Sequence, residues 1–102
     1  MEIYIKVVGE NYGPCWFVAE EHSGGLGNYL ENGDNLFDPD TDEPRGSAAK
    51  NWQEALNWAK LAYTISQWDG YGKTKVTCWV MRGDKLVCLR KLSRNKLVSI
   101  TK

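Results

Sequence analysis

The fold of this chain is decided by residues 51–68, which read NWQEALNWAKLAYTISQW. Asn51 followed three residues later by Glu54 is a start signal for a helix. Small and apolar residues then recur at helical spacing, beginning with Ala55 and Ala59, and they predict an amphipathic helix. The apolar sector is wider than a narrow stripe, so we expect the helix to be covered on more than one side.

Strands are predicted on both sides of this helix. Residues 2–8 alternate apolar and polar side chains, and residues 15–21 read as the returning strand of a hairpin. Three more short strands are predicted near 74–81, 85–91 and 96–101, joined by turn residues. The predicted fold class is α+β, a single small domain in ββαβββ order, with one helix packed on one face of an antiparallel sheet.

The 102 residues give room for one modest hydrophobic core, so we expect a single domain over residues 1–102. Residues 23–50 are rich in Gly, Asn, Asp and Pro and show little periodicity. We expect a long irregular loop there, of a length that is usually functional or mobile.

A turn at Gly83-Asp84 predicts the register of the two strands that flank it. Cys78 then faces Leu89 on the side that receives the helix, and Trp79 faces Cys88 on the other side. The helix side is predicted to carry Val76, Cys78, Val80, Val87, Leu89, Val98 and Ile100. Because Cys78 and Cys88 point to opposite faces in this register, they cannot bridge each other.

The second face of this sheet has Trp79, Met81 and Leu86 at its centre and Arg90 on its rim. Two interpretations are open. Either the N-terminal hairpin or the long loop folds over this patch and completes the core, or the patch is an exposed protein-binding or homodimer surface. In the second case Trp79 and Met81 would be its anchors.

The charge of the chain is strongly divided although the net charge is zero. Residues 1–54 carry 11 acids and 3 bases, whereas residues 55–102 carry 2 acids and 10 bases. A bipolar surface favours oriented encounter with a charged partner. The acidic loop offers Asp38, Asp40, Asp42 and Glu43 as contacts for a basic partner. Calcium binding is not predicted, because Glu43 stands where a calcium loop needs glycine.

The basic C-terminal strands give an alternative function, the binding of single-stranded nucleic acid. Cations beside aromatic platforms can pair with phosphates while the bases stack. The candidate residues are Arg90, Lys91, Arg94, Lys96 and Tyr71.

The sequence offers little for enzyme chemistry. His22 is the only histidine, and no nucleophile motif surrounds it. The three cysteines contain no CxxC pair and are expected to be reduced and packed, so we predict no metal site, no cofactor and no catalytic residue. The N-terminus does not read as a signal peptide and nothing is long and apolar enough to span a bilayer, which predicts a cytoplasmic protein.

The order of elements, together with the run Ala49-Lys50-Asn51-Trp52-Gln53-Glu54-Ala55, is similar to the short accessory proteins carried by phages and mobile elements. The resemblance implies a protein that binds and inhibits a host machine. We therefore predict a non-enzymatic protein-binding module. Its candidate contacts are the second-face patch and the acidic loop, and nucleic-acid binding is the alternative.

Overall fold

The computed structural model describes residues 1–11, 13–19, 26–30 and 48–100, and for residues 18, 19 and 26–30 it describes the backbone. The elements are β1 (Ile3–Gly9), β2 (Cys15–Ala19), β3 (Leu26–Leu30), α1 (Trp52–Trp68), β4 (Thr74–Arg82), β5 (Lys85–Ser93) and β6 (Lys96–Ser99). The strands form one six-stranded antiparallel sheet in the order β3-β2-β1-β4-β5-β6. The predicted α+β class is confirmed.

One strand was missing from the predicted order. Residues 26–30 form β3 on the outer side of β2, inside the stretch 23–50 that we expected to be an irregular loop. Glycine and asparagine within this segment hide the alternation by which strands are recognised. The rest of that loop lies outside the described residues until Ala48.

The start of α1 follows the predicted signal. The Asn51 side chain accepts a hydrogen bond of 2.8 Å from the Glu54 backbone N–H, and the Glu54 carboxylate accepts one from the Lys50 N–H at 3.3 Å. The first bond satisfies a donor that the first helical turn leaves without a partner, and the second ties Glu54 back to the residue before the cap. Ala49, directly before this cap, pairs with Ile3 of β1, so the start of the helix is anchored to the sheet.

A glycine ends α1. Gly70 has a φ of 78°, and the backbone N–H groups of Gly70 and Tyr71 bond to the carbonyls of Gln67 and Ser66. This pattern is a Schellman motif, whose left-handed residue is usually glycine. The motif turns the chain so that Tyr71 is buried against Gly9. A Cβ atom added to Gly9 would lie 2.8 Å from the Tyr71 Cβ, so this close contact needs glycine.

Alanines bring α1 close to the sheet. Ala55, Ala59 and Ala62 are fully buried, and the helix lies mainly over β1 and β4. Leu61 and Tyr63 remain 42% and 41% exposed. The wide apolar sector of α1 is therefore covered only in part. Trp52, Trp58 and Ile65 pack against the core, whereas other large side chains lie at the surface.

The predicted register of β4 and β5 holds from the turn as far as Trp79, which pairs with Cys88. A β-bulge then makes Cys78 pair with Arg90, so that Leu89 is an extra residue. The prediction that Arg90 lies on the second face is therefore wrong. The same shift puts Leu92 and Leu97 against the core, whereas Val98 and Ile100 are 42% and 41% exposed.

Cys15, Cys78 and Cys88 are free thiols. Cys78 and Cys88 lie on opposite faces as predicted, because Cys88 pairs with Trp79, the next residue along β4. In the part of the chain that the structure describes, no helix has the length and apolarity needed to cross a membrane.

Candidate functional site

The second-face patch is largely packed. Trp79 and Leu86 lie against a buried cluster of Tyr4, Trp16 and Ala48. The rings of Trp79 and Trp16 meet edge to face, with centroids 5.8 Å apart. The Trp79 indole N–H also donates to the Thr77 hydroxyl at 2.8 Å. The strands of the N-terminal hairpin lie beside this patch in the same sheet, with Tyr4 paired to Trp79, and Ala48 packs against the same cluster. Trp79 and Leu86 are therefore part of a packed cluster, which is closer to the first of the two interpretations than to an exposed surface.

Other polar groups on this face already have partners. The Lys6 ammonium lies 5.0 Å from the Trp79 ring centroid and 5.5 Å from that of Trp16, within the range of cation–π attraction. The Tyr4 hydroxyl donates to the Glu2 carboxylate at 3.1 Å. Burial, with the neighbouring Glu2 charge, raises the pKa of Tyr4 well above its usual range. Met81, at 37% exposure, is the most accessible member of the predicted patch.

The thiols of Cys78 and Cys88, one on each face of the sheet, are poor nucleophiles. Burial raises the pKa of Cys78 to about 12, an effect that the Cys88 charge increases and Arg90 opposes. Burial also raises the pKa of Cys88. Because the thiolate is the reactive form of cysteine, these raised pKa values keep both groups mainly in the less reactive thiol form at neutral pH. Among the described residues, no three His, Cys, Asp or Glu side chains are grouped to hold a metal ion.

A groove lies on the helix side of the sheet, between α1 and the β5–β6 hairpin. It exists because α1 covers β1 and β4, while β5 and β6 extend beyond it. At about 100° per residue, Trp52, Leu56 and Tyr63 fall within about 40° of one another on the helix. They form a stripe beside the buried alanines and are the helical wall of what we call the helix–hairpin groove.

The groove contains two clefts, each of about 330 Å³. The first, near the start of α1, is lined by Trp52, Gln53, Leu56, Arg90, Lys96 and Leu97. The second, near the end of α1, is lined by Tyr63, Thr74, Val76, Leu92, Arg94 and Asn95. Leu92 of the second cleft pairs with Leu97 of the first, so an apolar cross-strand pair connects them.

Basic side chains flank this apolar floor. The Arg90 guanidinium lies 3.9 Å from the Trp52 ring centroid, and this stacking holds its charge at the first cleft. Arg94 and Asn95 have φ values of 50° and 67°, which form the tight turn that brings Arg94 to the second cleft. Among the described residues that line the two clefts there are three bases and no acid. The groove can therefore take a ligand that is both apolar and anionic.

The structure separates the residues predicted to bind nucleic acid. Arg90, Arg94 and Lys96 line the groove. Lys91 pairs with Thr77 and so lies on the opposite face. Tyr71 is 4% exposed, and its hydroxyl donates to the Cys15 sulfur at 3.4 Å, so its ring is not a platform for base stacking.

Several predicted contacts fall outside the described residues. These are the acidic-loop residues Asp38, Asp40, Asp42 and Glu43.

The sequence analysis missed most of the apolar half of the groove. Trp52, Leu56 and Tyr63 recur at spacings of four and seven residues, which is the available signal for one helical stripe. Leu92 and Leu97 could not be assigned to the helix side without knowledge of the bulge at Leu89.

No family model, curated protein or solved structure matches this chain. The similarity to phage and mobile-element accessory proteins therefore stays a prediction. The function has to be inferred from the fold and from the helix–hairpin groove.

Proposed function

We propose that the protein is a non-enzymatic binding module, and that its helix–hairpin groove takes an acidic, partly apolar segment of another protein. The observation that carries the proposal is the combination of leucine-floored clefts with Arg90, Arg94 and Lys96 at their edges. Apolar side chains of the segment would fill the clefts. Its carboxylates would pair with the guanidinium and ammonium groups.

A protein segment suits this groove better than a nucleic acid does. Bases need exposed aromatic faces, but Arg90 already stacks on Trp52 and Tyr71 is buried, which leaves Tyr63 as the one open aromatic ring among the described residues that line the clefts. Leu92 and Leu97 on the floor and Leu56 in the helical wall match aliphatic side chains in size and polarity.

The resemblance found in the sequence extends the proposal to the source of the segment. An accessory protein of a phage or mobile element would act in the cytoplasm, where its thiols stay reduced, and its target would be a host protein machine. Homodimer formation through the second face is not part of the proposal, because Trp79 and Leu86 pack within the chain.

A short fluorescein-labelled peptide in which Glu and Leu alternate tests the proposal by fluorescence anisotropy. Replacing Arg94 and Lys96 with Gln should weaken its binding by about tenfold or more, because two charge contacts are removed. The matched control replaces Arg82 and Lys85 with Gln, which removes the same charge at the far turn of β4 and β5. This control should change binding by no more than about twofold at physiological salt.

Three results would overturn the proposal. The first is a peptide that does not bind. The second is an equal loss of affinity in the two double variants. The third is tighter binding of an oligothymidylate than of the peptide, sensitive to Arg94 and Lys96, which would assign the groove to nucleic acid.

A further inference from the structure

The outer edge of β6 is the feature that carries a further inference. β6 is the last strand in the sheet order and pairs with β5 alone among the described strands. It borders the helix–hairpin groove, because Lys96 and Leu97 line the first cleft. An edge strand next to a binding groove can accept a partner strand through its backbone.

The direction of the backbone groups can be read from the pairing. The Ile100 N–H donates to the Leu89 carbonyl at 3.1 Å, so residue 100 points its backbone toward β5. In an antiparallel ladder this direction alternates along the strand. The N–H and C=O of Leu97 therefore point away from β5, toward the open edge.

Side chains on both faces of β6 could contact an added strand. Leu97 lies on the groove side and packs against the core, while Val98 and Ile100 are 42% and 41% exposed on the other side. The apolar side chains of an extended segment would meet the first cleft on one face. Its carboxylates would lie on the other face, where Lys91 pairs with Val98.

The positive charge of the β5–β6 hairpin favours one kind of partner strand. Residues 85–100 contain five bases and no acid. Two copies of β6 joined edge to edge would bring like charges together, which opposes a dimer through this edge. An acidic strand would be attracted instead.

We propose that the acidic segment binds in extended form and adds to β6 as a seventh, antiparallel strand. The inference rests on the proposed function, since it describes how the same segment is held. Main-chain hydrogen bonds to Leu97 would provide part of the affinity, and the neighbouring clefts would provide the selectivity.

Amide hydrogen exchange, followed by NMR on the ¹⁵N-labelled protein with the Glu/Leu peptide, tests the inference. At saturation the Leu97 amide should exchange at least about tenfold more slowly. The Val98 and Ile100 amides, which point toward β5, serve as internal controls and should change much less. Unchanged Leu97 exchange while the Trp52 indole resonance shifts would overturn strand addition and leave the groove proposal standing. Complete lack of peptide binding would overturn both.

Two N-methylated peptides give a second readout. One carries N-methyl groups on every Glu amide and the other on every Leu amide, so only one of them blocks the set of N–H groups that faces β6. One peptide should lose about tenfold or more in affinity relative to the other. Equal affinities would contradict strand addition. Protection of Leu97 that grows with protein concentration in the absence of peptide would assign the edge to a second copy instead.

Discussion

At the scale of single residues, the structure decides between two roles for Trp79. The sequence left it as either a surface anchor or a core residue. Its indole packs against Trp16 and Leu86 lies in the same cluster, so its main role is structural. The apolar residues that line the candidate site are instead on the helix side of the sheet.

Replacing Trp79 with Ala should lower the free energy of unfolding by about 2 kcal/mol or more, because it leaves a cavity beside Trp16. Urea denaturation measures the loss. Met81→Ala is the control on the same face and should cost less, because Met81 is 37% exposed. Unchanged stability of Trp79→Ala, together with loss of peptide binding, would restore the second-face patch as the binding surface.

The buried thiol of Cys78 predicts alkaline sensitivity. Burial raises its pKa from 9.0 to about 12, so between these values the unfolded chain loses a proton that the folded chain keeps. The contribution of the protonated Cys78 thiol to the free energy of unfolding is complete below pH 9. It is lost as the pH rises toward 12, by up to about 1.4 kcal/mol per pH unit.

Cys78→Val isolates this contribution, because Val is close to Cys in size and does not ionise. Urea denaturation above pH 9 should show a steeper loss of stability in the wild-type protein than in the variant. Tyr4 and Cys88, whose pKa values are also raised, remain in both proteins, so the difference between the curves reports Cys78 together with its interaction with the Cys88 charge. Parallel curves would show that the Cys78 thiol titrates normally in the folded state.

At the scale of elements, local signals predicted the helix and most strands. The Asn51 cap and Gly70 act within a few residues of their own positions, and alternation marked β1 without reference to any other strand. Turn residues likewise predicted both C-terminal hairpins. Such features are readable because the forces that set them act along the chain.

The bulge at Leu89, between the pairs Trp79–Cys88 and Cys78–Arg90, could not be predicted from such local signals. No glycine or proline marks it, and a one-residue slip in register moves every later side chain to the other face. The slip carries Arg90 to the helix side, where Trp52 stacks with it. Half of the candidate groove therefore depends on an irregularity set by packing between elements, which the alternation within β5 did not reveal.

At the scale of the whole molecule, the distance between charges decides which of them a ligand feels. The molecule measures 36 × 32 × 24 Å. The Debye length is about 8 Å at physiological salt and about 30 Å near 0.01 M. Lys85 at the far turn lies five residues from Arg90 along β5, roughly 17 Å at about 3.3 Å per residue. Arg82 and Lys85 at the far turn are therefore screened from the groove at physiological salt and are felt there at low salt.

This difference predicts how the two double variants respond to ionic strength. The double variant Arg94→Gln, Lys96→Gln should bind the Glu/Leu peptide more weakly at both salt concentrations, since the charges that it lacks contact the peptide directly. The double variant Arg82→Gln, Lys85→Gln should weaken peptide binding only at a salt concentration near 0.01 M, where the electrostatic field of these charges reaches the groove. Anisotropy titrations at the two concentrations measure both effects. A loss from the Arg82 and Lys85 variant that persists at physiological salt would mean that the peptide reaches the far turn, and that the binding surface runs the length of β5.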